Sequence, residues 1–290
     1  MDLAESVLSI ASRSRFEHVH LTGSRYRGPY GTVYEAFAGV GSHQEDIALR
    51  ILDTPEASAP EFADRITDTI GEFAPVTAHE RLVTVLDYGA QPRPWIATTR
   101  IDERLPDRRP MDFVSPLTTA RELVEGVAHL HQQDLTHGGL DPSAIVFVGG
   151  GFEDVGQGTP LIDNAGLIHE FRYAFEPEDY LKPAFAAPEY YSQQFGAVDH
   201  QTDIYQLGAV LYYLVTGQPP YRGTFAEIRT QILDEEPLTP SEAGAPTVFD
   251  EIIRKAMATE KIKRYETVEY LQNDLAMIAA NREYEWVDGE

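Results

Sequence analysis

An α+β fold with two unequal lobes is predicted for this chain, a small β-rich N-terminal lobe with one main helix and a large helical C-terminal lobe. Three observations predict it. Strand-like runs dominate to about residue 100, helical spacing of apolar residues dominates after Ile101, and 290 residues with 42% hydrophobic content suffice for a full core. The lobes are assigned to residues 1–100 and 101–290, with 1–14 as a short N-terminal extension.

Leu3, Val7, Leu8 and Ala11 fall at helical spacing, which predicts a short amphipathic helix in the extension. Phe16–Tyr26 and Gly31–Ala38 read as strands paired around a glycine turn, and Asp46–Leu52 reads as a third. Pro60 opens a helix that runs to Phe73, because a first-turn proline has its φ preset and lacks only an N–H that would be orphaned anyway. Arg81–Tyr88 and Trp95–Ile101 complete five strands. Leu117–Gln133, Gln201–Thr216, Thr224–Leu233, Val248–Met257 and Val268–Ala280 all carry apolar residues at helical spacing. Short strands lie between the first two of these helices. The glycine-rich stretch Gly149–Gly158 is read as their hairpin loop rather than a phosphate cradle, since no GK[ST] or helix start follows it.

Composition removes several functions. With no cysteine, disulfides, thiolate metal sites and cysteine nucleophiles are excluded. Acidic residues outnumber basic ones 47 to 23, the formal charge is -24, and the lysines are Lys182, Lys255, Lys261 and Lys263. Such a field repels nucleic acid and anionic lipid, so neither is expected as a partner. The acids are spread along the chain rather than blocked into a tail, which predicts a solvated, halophile-like surface with a strong salt requirement. No apolar run reaches the roughly 18 residues of a membrane span, and MDLAESVLSI lacks a signal peptide's basic start, so a cytoplasmic location is expected.

Motifs then appear in a fixed order from about residue 20 to 280. RYRGPYGTVYEA at Arg25–Ala36 offers a glycine loop; IALRIL at Ile47–Leu52 a buried strand with one cation; HGGLDPSAIVF at His137–Phe147 a turn before a strand. LIDNAG follows at Leu161–Gly166, APE at Ala187–Glu189, and DIYQLGAVLYYLVTGQPPY at Asp203–Tyr221. Together they resemble the protein kinase family, of the Ser/Thr type, whose corresponding patterns are GxGxxGxVYxA, VAIK, HRDLKPxN, DFG, APE and DxYxLGxxLYxLxTGxxPF. The resemblance implies a bilobal kinase-like fold over nearly the whole chain. It also implies structural roles: Asp203 bonding the catalytic-loop backbone, and Arg264 pairing with Glu189.

The same resemblance marks what is missing. Gly139 stands at the catalytic base, Asp141 at the lysine two residues later, and Ala144 at the metal-ligand asparagine. Arg50 replaces the third-strand lysine; its planar fork is not interchangeable with an ammonium, and a structural bridge to Asp64, Asp68 or Glu72 is expected. Asp163 keeps the metal-binding carboxylate and holds Mg²⁺ weakly at best, while Asn164 takes the place of the DFG phenylalanine. Gly28, Gly31, Val33, Ala48, Arg50, Thr98, Val146 and Asp163 form the implied nucleotide site, with Tyr26 at the first glycine of the loop. Between Asp163 and Glu189 there is no serine or threonine. Lys182 falls near Asp141 in the family frame, so a salt bridge between them is expected across the peptide site.

The resulting expectation is a pseudokinase acting as a regulatory or scaffolding module through protein partners, with weak nucleotide binding, no efficient phosphoryl transfer, and ATP and Mg²⁺ not required. The alternative is a divergent ATP-dependent Ser/Thr kinase or other phosphotransferase using Asp163, Arg50 and Asp141. A purely structural domain with a blocked cleft is a third reading.

Overall fold

The computed structural model describes residue 7 and residues 10–280, apart from 29, 42, 55–56, 58, 106–115 and 150–157. Leu3 and Leu8 of the expected N-terminal helix, and most of the glycine-rich stretch after Gly149, therefore lie outside the described residues.

Five antiparallel strands make the first sheet: β1 (His18–Gly28), β2 (Gly31–Val40), β3 (His43–Ile51), β4 (Val85–Gly89) and β5 (Trp95–Thr99), in the order β1-β2-β3-β5-β4. The period-2 alternation of β3 decides which residue faces what. Ile47, Leu49 and Ile51 point to one face, where they bury against Trp95, Ala36, Phe16 and the helical residues Val7 and Ile10 of the N-terminal extension. Ile10 is 1% exposed, so its burial contributes about 1.5–3 kcal/mol to holding the extension on the sheet. Ala48 and Arg50 point the other way, opposite Thr98 and Ile96 respectively.

Between β3 and β4 runs α1 (Pro60–Phe73), with proline in its first turn. Phe62, Ile66, Ile70 and Phe73 recur every three or four residues and are buried. Asp64, Asp68 and Glu72 lie four residues apart on the opposite, more exposed face.

The larger lobe opens with a second antiparallel sheet of β6 (Glu103–Arg104), β7 (Ile145–Val148) and β8 (Thr159–Ile162). Helix α2 (Pro116–Gln132) precedes β7; α3 (Leu167–Ala174) and the single-turn α4 (Pro177–Tyr180) follow β8. Then come α5 (His200–Thr216), α6 (Phe225–Asp234), α7 (Asp250–Ala256) and α8 (Val268–Ala280). α5 starts with a capping box between Asp199 and Thr202, ends at Gly217 in the left-handed region, and is buried along nearly its whole length. Among the described residues no helix is long and apolar enough to cross a membrane.

Several elements differ from expectation. The strand expected from Arg81 starts at Val85, because Leu82 and Val83 pair with Ile162 at the end of β8 instead. The helix expected over Val248–Met257 begins as a 3-10 turn at Thr247–Phe249 before α7. Helix α3 falls in a stretch for which only short strands are expected, although Leu167, Ile168 and Phe171 form a short apolar stripe at helical spacing.

Candidate functional site

The floor of the site is held from below by α5. Asp203 is fully buried near the helix N-terminus, and its carboxylate accepts from the backbone N–H groups of His137 (2.9 Å) and Gly138 (2.7 Å). It also pairs with His131 Nε2 at 2.9 Å. Burial opposes the Asp203 charge, but His131, His137 and the Gly138 amide outweigh it and hold the carboxyl below its ordinary range. Farther down, Arg264 makes a bidentate pair with Glu189, each N–H···O contact 2.9 Å, with both side chains fully buried. Thr202 Oγ1 donates to the same carboxylate at 2.6 Å. The catalytic-loop frame is thus fixed by satisfied, buried hydrogen bonds.

At the cleft the arrangement changes. Arg50 does not reach Asp64, Asp68 or Glu72, because the register of β3 aims it into the cleft while those acids occupy the outer face of α1. Its Nη2 donates instead to Asp163 Oδ2 at 2.8 Å, both side chains 6% exposed. Arg104 of β6 approaches the same oxygen at 3.4 Å, donates to the Ser143 carbonyl at 3.0 Å, and lies 4.4 Å over the Tyr26 ring. Burial would raise the Asp163 carboxyl, but the two guanidiniums hold it below the ordinary range. Burial likewise lowers the Arg50 guanidinium, against the pull of Asp163. Both contacts cross between lobes: Arg50 and Tyr26 belong to the first sheet, Asp163 and Arg104 to the second lobe.

These residues do not fit a bound Mg²⁺. A cation with six oxygen ligands needs a free carboxylate edge, whereas Asp163 Oδ2 already faces two cations and Ala144, buried at the asparagine position, offers no oxygen from its side chain. The Asp163 N–H donates to the Ala144 carbonyl at 2.8 Å, so even that segment is used structurally.

The base position is filled from above. Tyr30, at the tip of the β1–β2 turn, is 2% exposed and points at the catalytic loop. A Cβ built on Gly139 would lie 2.8 Å from its phenolic oxygen. Its ring packs edge-on against Phe171 of α3 at 4.9 Å, and Phe171 in turn contacts Phe62 of α1 and Phe175. Burial first, then the nearby Asp141, push the Tyr30 phenol well above its ordinary value, so it stays neutral. Gly138 has φ +74° and a built Cβ would meet Ile168 at 2.9 Å, so an arginine after His137 would be strained in this conformation. Helix α3 is tied to α1 again by Glu170, which accepts from Arg65 at 2.9 Å and Thr69 at 3.2 Å.

Asp141 and Lys182 do not form the expected ion pair. Asp141 is buried and turns inward to cap the 3-10 turn Pro142–Ala144, accepting from the Ser143 N–H at 2.6 Å, while Lys182 stays exposed. Burial raises the Asp141 carboxyl; Lys182 acts on it only as a nearby charge that partly offsets this. Asn164 sits in the left-handed region at φ +68°, a conformation asparagine tolerates, and its Oδ1 is buried without a partner. It lines a cavity of about 30 Å³ with Arg50, Ile70, Phe73 and Thr98.

Val33 stands opposite Arg50 and Ala48 opposite Thr98 on the first sheet, while Val146 lies in β7 of the second; all four are buried. Gly28 lies directly above Arg50: a Cβ there would be 3.5 Å from Nη1 and 3.1 Å from the Tyr26 ring. Gly31 is required by packing, since a Cβ would come within 2.3 Å of the Ile51 carbonyl oxygen. Sequence reasoning missed Arg104 and Tyr30. Arg104 carries no local signal within a charged run, but an aromatic set between two glycines in GPYG is a signal that could have been read.

Comparison with known proteins agrees with this frame. The family profile described as protein tyrosine and serine/threonine kinase matches residues 23–275. Serine/threonine-protein kinase PknB of Mycobacterium tuberculosis is 24% identical over 249 residues, covering 80% of this chain and 38% of that protein. A probable serine/threonine-protein kinase of Corynebacterium efficiens is 29% identical over 258 residues, covering 81% and 38%. The chain thus spans well under half the length of the curated relatives it matches. Among solved structures, the kinase domain of Mycobacterium tuberculosis PknI aligns with TM-score 0.65 and 19% identity over 90% of this chain and 96% of that one.

Proposed function

We propose that this chain, which belongs to the protein tyrosine and serine/threonine kinase family, is a pseudokinase: a regulatory or scaffolding module that acts through protein partners and carries out no efficient phosphoryl transfer. The observation that carries this reading is the fate of Asp163. Phosphoryl transfer in this family relies on positioning and on charge neutralisation by metal ions, with a carboxylate accepting the hydroxyl proton. Here the metal-binding carboxylate faces Arg50 and Arg104, and the base position is a glycine covered by Tyr30. Losing one such group leaves residual catalysis; losing base, lysine and metal site together removes three contributions that act as a unit.

Supporting the regulatory side, α1 is held by α3 through Phe62, Phe171 and the Arg65–Glu170 pair rather than by a cation on β3. The acid-rich composition favours a salt-adapted setting and disfavours nucleic acid and anionic membranes as partners. The names of the relatives, serine/threonine-protein kinases, supply the competing reading of a divergent active enzyme. Intact-mass analysis of the purified chain after incubation with ATP and Mg²⁺ separates the two: no added phosphoryl group is expected, and mass gain that requires Asp163 overturns the proposal.

A further inference from the structure

Away from the cleft, the large lobe holds a cavity of about 540 Å³ between the end of α6 and the segment that runs from α7 into the turn Lys261–Lys263. Its size falls within the roughly 300–1,000 Å³ of pockets that bury ligands. Tyr221, Ile253 and Met257, all buried, form an apolar floor, and Leu238 of the lining is 63% exposed. Covering that leucine and the floor with an apolar side chain would remove surface that water now wets.

The wall that carries Leu238 is preset. Pro237 and Pro240 flank it, and the Ala245 N–H donates to the Pro240 carbonyl at 2.8 Å. Asp250 of α7 accepts from the Ser241 N–H at 2.9 Å and from its hydroxyl at 2.6 Å, while Glu242 accepts from the Thr239 N–H at 2.8 Å. A loop held by its own hydrogen bonds loses little further entropy when something docks on it.

Charge sets the sign of the occupant. Six carboxylates line the cavity against three cations, and the cations are already engaged. Arg254 pairs with Glu251 at 2.6 Å, Lys263 with Glu260 at 2.8 Å, and Lys255 lies 4.1 Å over the Tyr265 ring. Asp234, Glu235 and Glu236 are exposed at the end of α6, and none of them forms an ion pair among the described residues. Two acids per base is also the ratio of the whole chain, so charge alone does not single this place out. The cavity and its exposed leucine do.

We infer that this cavity is the docking site for a basic peptide segment of a protein partner, one that carries an apolar anchor residue with Arg or Lys on either side. The anchor covers Leu238 and the Tyr221–Ile253–Met257 floor, and the flanking cations meet the Asp234–Glu236 run. The inference rests on the reading of the chain as a module that acts through protein partners, and it gives that partner a chemistry. Burial of the anchor supplies affinity, while the carboxylates speed encounter and select the sign of the segment.

The test pans short random peptides displayed on phage against the full chain, in about 0.5 M KCl so that long-range attraction to an acidic protein is screened. Recovered peptides are then made synthetically and titrated by fluorescence anisotropy. They are expected to carry an apolar residue between basic ones, and replacing that residue with serine should weaken binding about tenfold or more. Glu235→Gln/Glu236→Gln, at exposed positions that leave the fold intact, should weaken it about three- to tenfold. Leu238→Ser should also weaken it. Asp64→Asn/Asp68→Asn removes the same charge from the outer face of α1 and should change affinity by less than about twofold. Recovery of no peptide or of acidic ones, indifference to the apolar residue, binding untouched by the cavity variants, or equal losses in the cavity and α1 variants overturns the inference. Release of γ-phosphate from ATP by the same preparations would overturn the pseudokinase reading and leave the docking result standing; failure of docking leaves the absence of transfer untouched.

Discussion

The phenolic oxygen of Tyr30 and the missing side chain of Gly139 occupy the same space: a Cβ on residue 139 would sit 2.8 Å from that oxygen. Restoring the family's aspartate is therefore not a neutral repair. Gly139→Asp is expected to destabilise the chain by about 1–3 kcal/mol through overpacking, and to leave phosphoryl transfer absent. In a double-mutant cycle with Tyr30→Ala, the penalty of Gly139→Asp should largely vanish, because the ring it collides with is gone. Urea denaturation of the four proteins measures this; additive costs would mean that the two sites are independent.

The bidentate Arg264–Glu189 pair joins the large lobe with both side chains fully buried. Arg264→Ala leaves the buried Glu189 carboxylate with the Thr202 hydroxyl and only Lys261 as a cation, at 3.9 Å, and should cost about 3–5 kcal/mol. Removing the exposed Arg254 partner of Glu251 should barely move the melting temperature. Equal shifts in calorimetry would show that burial does not govern these pairs.

Asp163 and Asp203 both have carboxyls held below the ordinary range in the folded chain. Each contributes stability that is complete above about pH 4, the unfolded value, and is lost as pH falls through the folded value. Asp163→Asn and Asp203→Asn should therefore flatten the acid limb of the stability profile. Asp141 has the opposite sign. Its raised value means that ionisation costs stability as pH rises, so Asp141→Asn, which still caps the turn through its side-chain oxygen, should stabilise the chain at neutral pH and lose that advantage in acid. Chemical denaturation midpoints across the acid range check all three; an unchanged acid limb in Asp163→Asn and Asp203→Asn would contradict the assignment.

With 47 acids against 23 bases, repulsion across the surface should weaken the fold in dilute buffer. The Debye length shrinks from about 10 Å at 0.1 M salt to about 3 Å at 1 M. The melting temperature should climb over that interval in KCl. A flat response would remove the salt-adapted reading of the surface.

Much of the scaffold was legible because it is written in local chemistry. Pro60 marks the start of α1, the run after Asp203 reads as a buried helix, and Glu189 and Arg264 stand at positions whose pairing the family frame implies. The cleft was only half legible. Gly139, Ala144 and Arg50 showed what had gone, but the partner of Arg50 depended on strand register and on which face α1 presents, neither of which a list of nearby acids reveals. Asp141 and Lys182 looked complementary by charge, yet a backbone N–H two residues away satisfies the aspartate first. Arg104 enters from a two-residue strand, too short to leave a pattern.

On the pseudokinase reading, the Arg50–Asp163–Arg104 cluster and the Tyr30-covered glycine stand in place of phosphoryl-transfer chemistry. Release or transfer of the γ-phosphate of labelled ATP, measured in Mg²⁺ and in Mn²⁺ for the wild-type chain beside Asp163→Ala, tests it most directly. Both proteins are expected to stay at the level of a buffer blank. Turnover by the wild type that disappears in Asp163→Ala would contradict it.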